Sequence, residues 1–581
     1  MTTYDKFPTV AIQGFDDSAW QGWEAITRVL ESKTQQRSRT VLVIDCYPGV
    51  HMTELEENVL PRLRPTLAIN AEQARRDECA IHEMLARNLT DDRVFGVLSC
   101  HQLGEFFDPA RLEALQVRVS QCSGGLIVIY GPGATLVHPG DVLVYADLPR
   151  WEIQQRMRRG ETGNWGADNQ QEDMLRRYKR AFFCRMARLR SPQKRRCSGA
   201  PIFLLDTTQT NQPAMVSGEA LRAGLKQTTT QPFRVAPFFD PGVWGGQWMK
   251  QQFDLDPSAP NYAWCFDCVP EENSLLLRFG AVRIEIPSQD LVLLEPRALL
   301  GEKVHARFGA EFPIRFDFLD TMGGQNLSFQ VHPITEYIQQ QFGMHYTQDE
   351  SYYILEAEPG AVVYLGTKTG TDPEAMMDDL RRAGRGEKPF DDDRFVNQIP
   401  AKKHDHFLIP AGTVHCSGAG TMVLEISATP YIFTFKLWDW GRLGLDGLPR
   451  PVHLEHGEKV IDWQRDTRWV HQHLVNQFEP VAEGNGWREE RTGLHEREFI
   501  ETRRHWFSEP VLHHTGGGVN VLNLVEGDEA IVDSPTGAFE PFTVHYAETF
   551  IIPASVGDYR ISPSARASGH PLATIKAWVR S

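Results

Sequence analysis

No run of apolar residues in this 581-residue chain approaches the ~20 needed to cross a bilayer. The opening stretch, MTTYDKFPTVAIQGF, lacks the basic-then-apolar order of a secretory signal. Cysteine is sparse, nine residues without a regular framework, which excludes a disulfide scaffold and points to a reducing cytoplasm. Cys265 and Cys268 form one C-x-x-C, with no second pair at zinc-ribbon spacing, so it reads as incidental. Positive charge is also short: 60 Lys and Arg stand against 76 Asp and Glu, a formal net charge of -16. That balance argues against a general nucleic-acid binder. Hydrophobic residues at 41% and aromatics at 10% mark a folded chain, and its length implies two to four domains.

What is present divides into two kinds of sequence. Over residues 1–206, apolar runs such as TVAIQGF, TVLVIDCYP, VFGVLSC, GLIVIYGPGA, DVLVYADLP and APIFLLD alternate with helical patterns. That alternation predicts an α/β domain on a mostly parallel sheet. Ten basic residues fall between Arg176 and Arg196, either surface charge or an anion-binding patch. Residues 207–233, polar and rich in Thr and Gln, read as a linker. The remainder is β-rich: residues 234–450 with a helical insertion at 371–395, then residues 451–581. It contains an internal echo. HFLIPAGTVH (406–415) is answered by TFIIPASVGDY (549–559), and SYYILEAEPGAVV (351–363) by NVLNLVEGDEAIV (520–532). Two related β-barrels follow from the echo, the second with Gly557-Asp558-Tyr559 where His415 stands in the first, and so without a metal. His513, His514 and His545 lie outside the echoed ligand slot.

Gln330 and His332 in LSFQVHP, Glu350 in TQDESYYILEAEPG and His415 in FLIPAGTVHCSG form a set of N and O donors suited to zinc or another divalent first-row metal. Gln330 and His332 are two apart and share a face of any strand. The Pro410-Ala411-Gly412 turn can aim His415 back at the same point.

The ordered set QVHP, Glu before YIL, and IPAGTVH resembles the class I mannose-6-phosphate isomerases. The resemblance runs over roughly 235–581. It takes in Val243-Trp244-Gly245-Gly246, Arg297-Ala298-Leu299-Leu300-Gly301, Phe312-Pro313, Phe318-Leu319-Asp320, Leu424-Glu425-Ile426 and Trp438-Asp439-Trp440-Gly441-Arg442. It implies a double cupin, one zinc ion at Gln330, His332, Glu350 and His415, and a sugar or sugar-phosphate substrate. Glu425, Lys436 and Arg442 become the catalytic candidates, Glu425 being equally readable as a structural acceptor. Residues 1–206 faintly resemble the P-loop nucleoside and uridine kinases. Gly14-Phe15-Asp16-Asp17-Ser18 takes the place of the phosphate loop, and Asp147-Leu148-Pro149-Arg150 precedes a lid-like Gln155-Arg156-Met157-Arg158-Arg159-Gly160. The loop has no Lys and puts two carboxylates where phosphate belongs, so this domain reads as degenerate and non-catalytic.

The chain also departs from the isomerase pattern. Asp317 and Gln348 stand where the family has lysines, Lys436 where it has arginine, and Val269 near a family histidine. A Lys-to-Asp exchange changes local charge by two units, and at ~5 Å with an effective dielectric near 20 each unit is worth on the order of 3 kcal/mol. Lys303, Arg315, Arg442 and Arg450 are the cations available to compensate. The reading is a zinc-dependent aldose–ketose isomerase with a small-molecule partner, no nucleic acid, no membrane, and an oligomer open. Its competitors are a non-catalytic sugar-binding or regulatory protein and another cupin chemistry such as a dioxygenase.

Overall fold

The computed structural model describes residues 3–35, 37–184, 202–428, 432–493, 495–567 and 570–580. It divides into two compact units, one of Thr9–Gln227 with Ser274–Leu294, the other of Met1–Pro8, Thr228–Asn273 and Glu295–Ser581.

The first unit carries a seven-stranded sheet. Five parallel strands lie in the spatial order Leu67–Asn70, Gly125–Gly131, Arg39–Cys46, Val142–Asp147 and Ile202–Asp206. Ala214–Ser217 and Ala19–Gln21 extend it antiparallel. The parallel strands are near-continuous apolar runs because helices cover them, and Val41, Val43, Ile69, Ile127 and Ile129 are fully buried.

Residues 207–233 are not a bare linker: they hold the strand Ala214–Ser217 and the helix Gly218–Thr228. The strand Thr9–Ile12 lies outside the large sheet and pairs in parallel with Leu276–Phe279 of a distant hairpin. Gly14–Ser18 therefore leads from a small three-stranded sheet to an edge strand, not from a central strand to a helix as a phosphate loop requires. VFGVLSC forms no strand; Val97 N–H donates to the Asn88 carbonyl and Ser99 N–H to that of Phe183, helix-end acceptors that displace sheet pairing. On the helix Met174–Phe183, Arg177, Lys179 and Arg180 are buried and donate to the carbonyls of Met157, Asp92 and Gly166, which removes them from the surface. Residues 185–196 of that basic stretch lie outside the described residues.

The second unit is built from pairs of sheets. A six-stranded sheet contains Glu350–Ala357, His406–Ile409, Thr421–Ala428 and Ile314–Asp320. A five-stranded sheet contains Phe329–Val331, His415–Ser417, Val362–Thr367 and Phe435–Trp438. The helix Pro373–Gly384 and the turn Asp392–Phe395 intervene between Val362–Thr367 and Val396–Pro400.

Further along, a six-stranded and a four-stranded sheet enclose an apolar core of Phe507, Leu522, Leu524, Val532, Val544, Phe550 and Ile561. The internal echo is a repeat of strand pairing. Glu350–Ala357 lies between His406–Ile409 and Thr421–Ala428, and Asn520–Glu526 lies between Thr549–Ile552 and Leu572–Val579. Glu350 pairs with Ile409 and Asn520 with Ile552, and each central strand shifts register just before Glu356 or Glu526.

Candidate metal centre

Gln330 and His415 are directly opposed on neighbouring antiparallel strands of the five-stranded sheet. Glu350 opens a strand of the facing sheet, so the donors arrive from both sides of the core. The turn that delivers His415 is clamped from three directions. Ala411 N–H donates to Asp349 Oδ1 at 2.8 Å, Gly412 N–H donates to the His332 carbonyl at 2.9 Å, and the buried Arg465 donates to the Pro410 carbonyl at 2.5 Å. Gly412 has a φ of 91°, which a side chain would resist.

His415 Nε2 lies 2.7 Å from Glu350 Oε1, and His332 Nε2 lies 3.2 Å from Glu350 Oε2. One donor atom from each of the three falls within 4.8 Å of the others, and all three residues are buried. Both imidazoles are anchored by their other nitrogen: His332 Nδ1 meets the Phe433 carbonyl at 3.2 Å, and His415 Nδ1 the Thr413 carbonyl at 2.9 Å. Anchoring Nδ1 this way presents Nε2 to a metal in neutral imidazole form. The Gln330 amide lies beside them, its Nε2 3.2 Å from His415 Nε2, and turned end for end it offers its oxygen to the same point. The donor set therefore fits a divalent metal. Burial works against charge on Glu350, yet the two imidazoles outweigh it and hold its carboxyl well below the ordinary range. Burial likewise opposes protonation of His332, and Glu350 outweighs it, raising that imidazole.

The surroundings are acidic. Asp317, Glu425 and Tyr352 stand side by side across three adjacent strands, with Arg315, Ser427 and Glu350 forming the next row on the same face. Gln348, whose amide is neutral where a lysine is expected, donates to Glu350 at 3.1 Å and to Glu425 at 3.2 Å. It joins the metal-site carboxylate to the candidate base. Burial, Asp317 and Glu350 raise Glu425 well above the usual carboxylate range, and burial pushes Asp317 to about 6 despite Arg315. Arg315 Nη2 lies 3.6 Å from Asp317 Oδ2, so this cation is engaged by the carboxylate.

Lys436 pairs with Gln330 on the neighbouring strand, and burial followed by Arg450 lowers it to about 8. Arg442 and Arg450 both pair with Asp439, and Arg442 also donates to the Asn326 carbonyl at 2.7 Å. Their contacts are with this segment and not with the metal-site donors. Lys303 is exposed on the helix Glu302–Phe308, Val269 is buried, and Cys265 and Cys268 are free thiols on a buried strand. At the echoed position, Asn520 replaces Glu350 and accepts a hydrogen bond from the Tyr559 hydroxyl at 3.0 Å.

Buried imidazoles and a carboxylate, with an amide beside them, form a cluster in β-structure that could hold a metal ion. Comparison with known proteins adds the lineage of the chain. A probable mannose-6-phosphate isomerase of Bacillus subtilis, GmuF, is 30% identical over 233 residues, covering 40% of this chain and 69% of that protein. The mannose-6-phosphate isomerase of Streptococcus mutans is 27% identical over 221 residues, 38% of this chain, of which this chain spans 64% of the length. The chain belongs to the mannose-6-phosphate isomerase family. Among solved structures, the mannose 6-phosphate isomerase from Bacillus subtilis aligns at 17% identity with a TM-score of 0.48, over 60% of this chain and 99% of that one. Residues 22–230 match a family described as a domain of unknown function (DUF8485). Among the described residues, no helix is long and apolar enough to cross a membrane.

Proposed function

We propose that this protein is a zinc-dependent aldose–ketose isomerase that prefers sugars without a phosphate group. The observation that carries the proposal is the convergence of His332, Glu350 and His415, with Gln330 beside them. His332, Glu350 and His415, with Gln330 beside them, would hold the zinc ion, which would supply Lewis-acid stabilisation of charge developing on the sugar oxygens. Glu425 moves the proton between the two reacting carbons, oriented by Gln348, which lies just before the strand that Glu350 opens. Lys436, beside Gln330, faces the sugar with its positive charge, while Arg442 acts through Asp439 to fix the segment behind it.

The preference for an uncharged sugar follows from the same face. Asp317, Glu350 and Glu425 line it, and Arg315 is paired to Asp317. A phosphate dianion needs several cations or backbone donors, and here Lys436 is set against the carboxylates of Asp317 and Glu425. A metal-binding protein that holds sugar without turning it over is the competing reading, favoured by the same loss of lysines at Asp317 and Gln348. Incubation of the zinc-loaded protein with free and phosphorylated aldoses separates the two. Interconversion of a free aldose and ketose, abolished in His332→Ala, is the expected result. Stoichiometric zinc with no turnover of any pair supports the competitor.

A further inference from the structure

The two β repeats of the second unit meet at a cavity of about 320 Å³ that is separate from the metal centre. Glu350 and Glu356 lie on one strand, six residues apart, so the cavity is ~20 Å from the donors at the rise of extended chain. Its lining follows the internal repeat. Glu356 and Glu526 occupy equivalent places, each just after the register shift of its strand. Lys403 and Tyr546 are also equivalent, each three residues before the paired strands that begin at His406 and Thr549. Lys403 reaches the other three. Lys403 Nζ lies 2.7 Å from Glu526 and 3.9 Å from Glu356, and 5.8 Å from the centre of the Tyr546 ring. Trp248 completes the wall, edge-on to Tyr546 with ring centres 6.3 Å apart, and Asp528 lies at the rim.

The chemistry of this lining discriminates among ligands. An anion meets three carboxylates against Lys403, already paired to Glu526, and the imidazole of His570. A cation must displace Lys403, which already occupies the acidic well and faces the Tyr546 ring. What remains is an uncharged polyol. Its hydroxyls donate to Glu356, Glu526 and Asp528 and accept from Lys403, and its C–H face lies against the aromatic rings. The volume is within the range of small-molecule sites and suits one or two sugar rings.

We infer that the cavity between the repeats is a second carbohydrate-binding site, taking a neutral sugar independently of the metal centre. Calorimetric titration of the full-length protein with D-mannose as probe tests it, using His332→Ala to silence the metal centre. The expected result is saturable binding that persists in His332→Ala and weakens at least tenfold in both His332→Ala/Trp248→Ala and His332→Ala/Glu526→Gln. The second of these keeps the shape of the wall and serves should the tryptophan variant unfold. Three results would overturn the inference: no saturable binding of D-mannose or D-glucose to His332→Ala, binding to it that is unchanged in both cavity variants, or spermidine occupying the cavity while neither sugar displaces it.

Discussion

Replacing Asp317 by Asn removes one negative charge from the face that the proposed substrate meets, and leaves the metal donors untouched. Asp317 stands two strands away from the strand of Glu350, opposite Glu425. Two interstrand spacings amount to ~10 Å. At that separation, with an effective dielectric near 20, one unit charge acts on a phosphate dianion with about 3 kcal/mol. The same substitution removes the carboxylate charge now 3.6 Å from Arg315, which also donates to Ser427. A 3 kcal/mol change corresponds to about a hundredfold in relative affinity, and screening by solvent leaves at least tenfold. The assay is kcat/KM for a free aldose and its 6-phosphate, measured side by side on both proteins. The variant should shift the ratio toward the phosphorylated sugar by at least tenfold, with the free-sugar value retained within a few-fold. A ratio that moves less than threefold refutes the electrostatic account of substrate choice.

Glu425→Gln should lower kcat by 10²–10⁴-fold, the usual contribution of a positioned acid or base, while zinc stoichiometry by atomic absorption stays unchanged. Zinc affinity should fall about tenfold per pH unit as the pH drops through the raised range of His332, because the imidazole must shed its proton to bind, and competition with a chromophoric chelator reads this directly. Stability should carry a separate acid limb from His406, which burial and then Arg504 depress to about 3 from an ordinary 6.5. It stays neutral in the fold while the unfolded chain takes up a proton below pH 6.5, so its contribution is present above that value and lost as pH falls. Between pH 6.5 and 4.5 the loss is about 2 kcal/mol, and His406→Leu should flatten the denaturant midpoint over that window.

The convergence of Gln330, His332, Glu350 and His415 was legible because each sits inside a short motif whose strand or turn character is local. Gln330 lies on the strand Phe329–Val331 with His332 one residue past its end, and Pro410-Ala411-Gly412 makes a turn with Gly412 at positive φ. The repeat was legible for the same reason, and the structure sharpens it to a register equivalence of Glu350 with Asn520. What escaped was non-local. Nothing in Thr9–Ile12 announces that it pairs with Leu276–Phe279, more than 260 residues away. The polar composition of residues 207–233 hid a helix whose apolar face, Ala220, Leu221 and Leu225, is buried. Gln348 registered as a missing lysine; only the fold shows its amide bridging Glu350 and Glu425. The acidic row of Asp317 and Glu425 likewise depends on cross-strand pairing that spacing along the chain does not reveal.

The central claim is that His332, Glu350 and His415 hold one catalytic divalent ion. Its most direct test is metal analysis of the purified full-length protein together with aldose–ketose interconversion, on the native chain and on His332→Ala. One equivalent of zinc per chain, with metal and turnover lost together in the variant, is the predicted result. A native protein that interconverts sugars without bound metal, or whose zinc and activity survive His332→Ala, would contradict it.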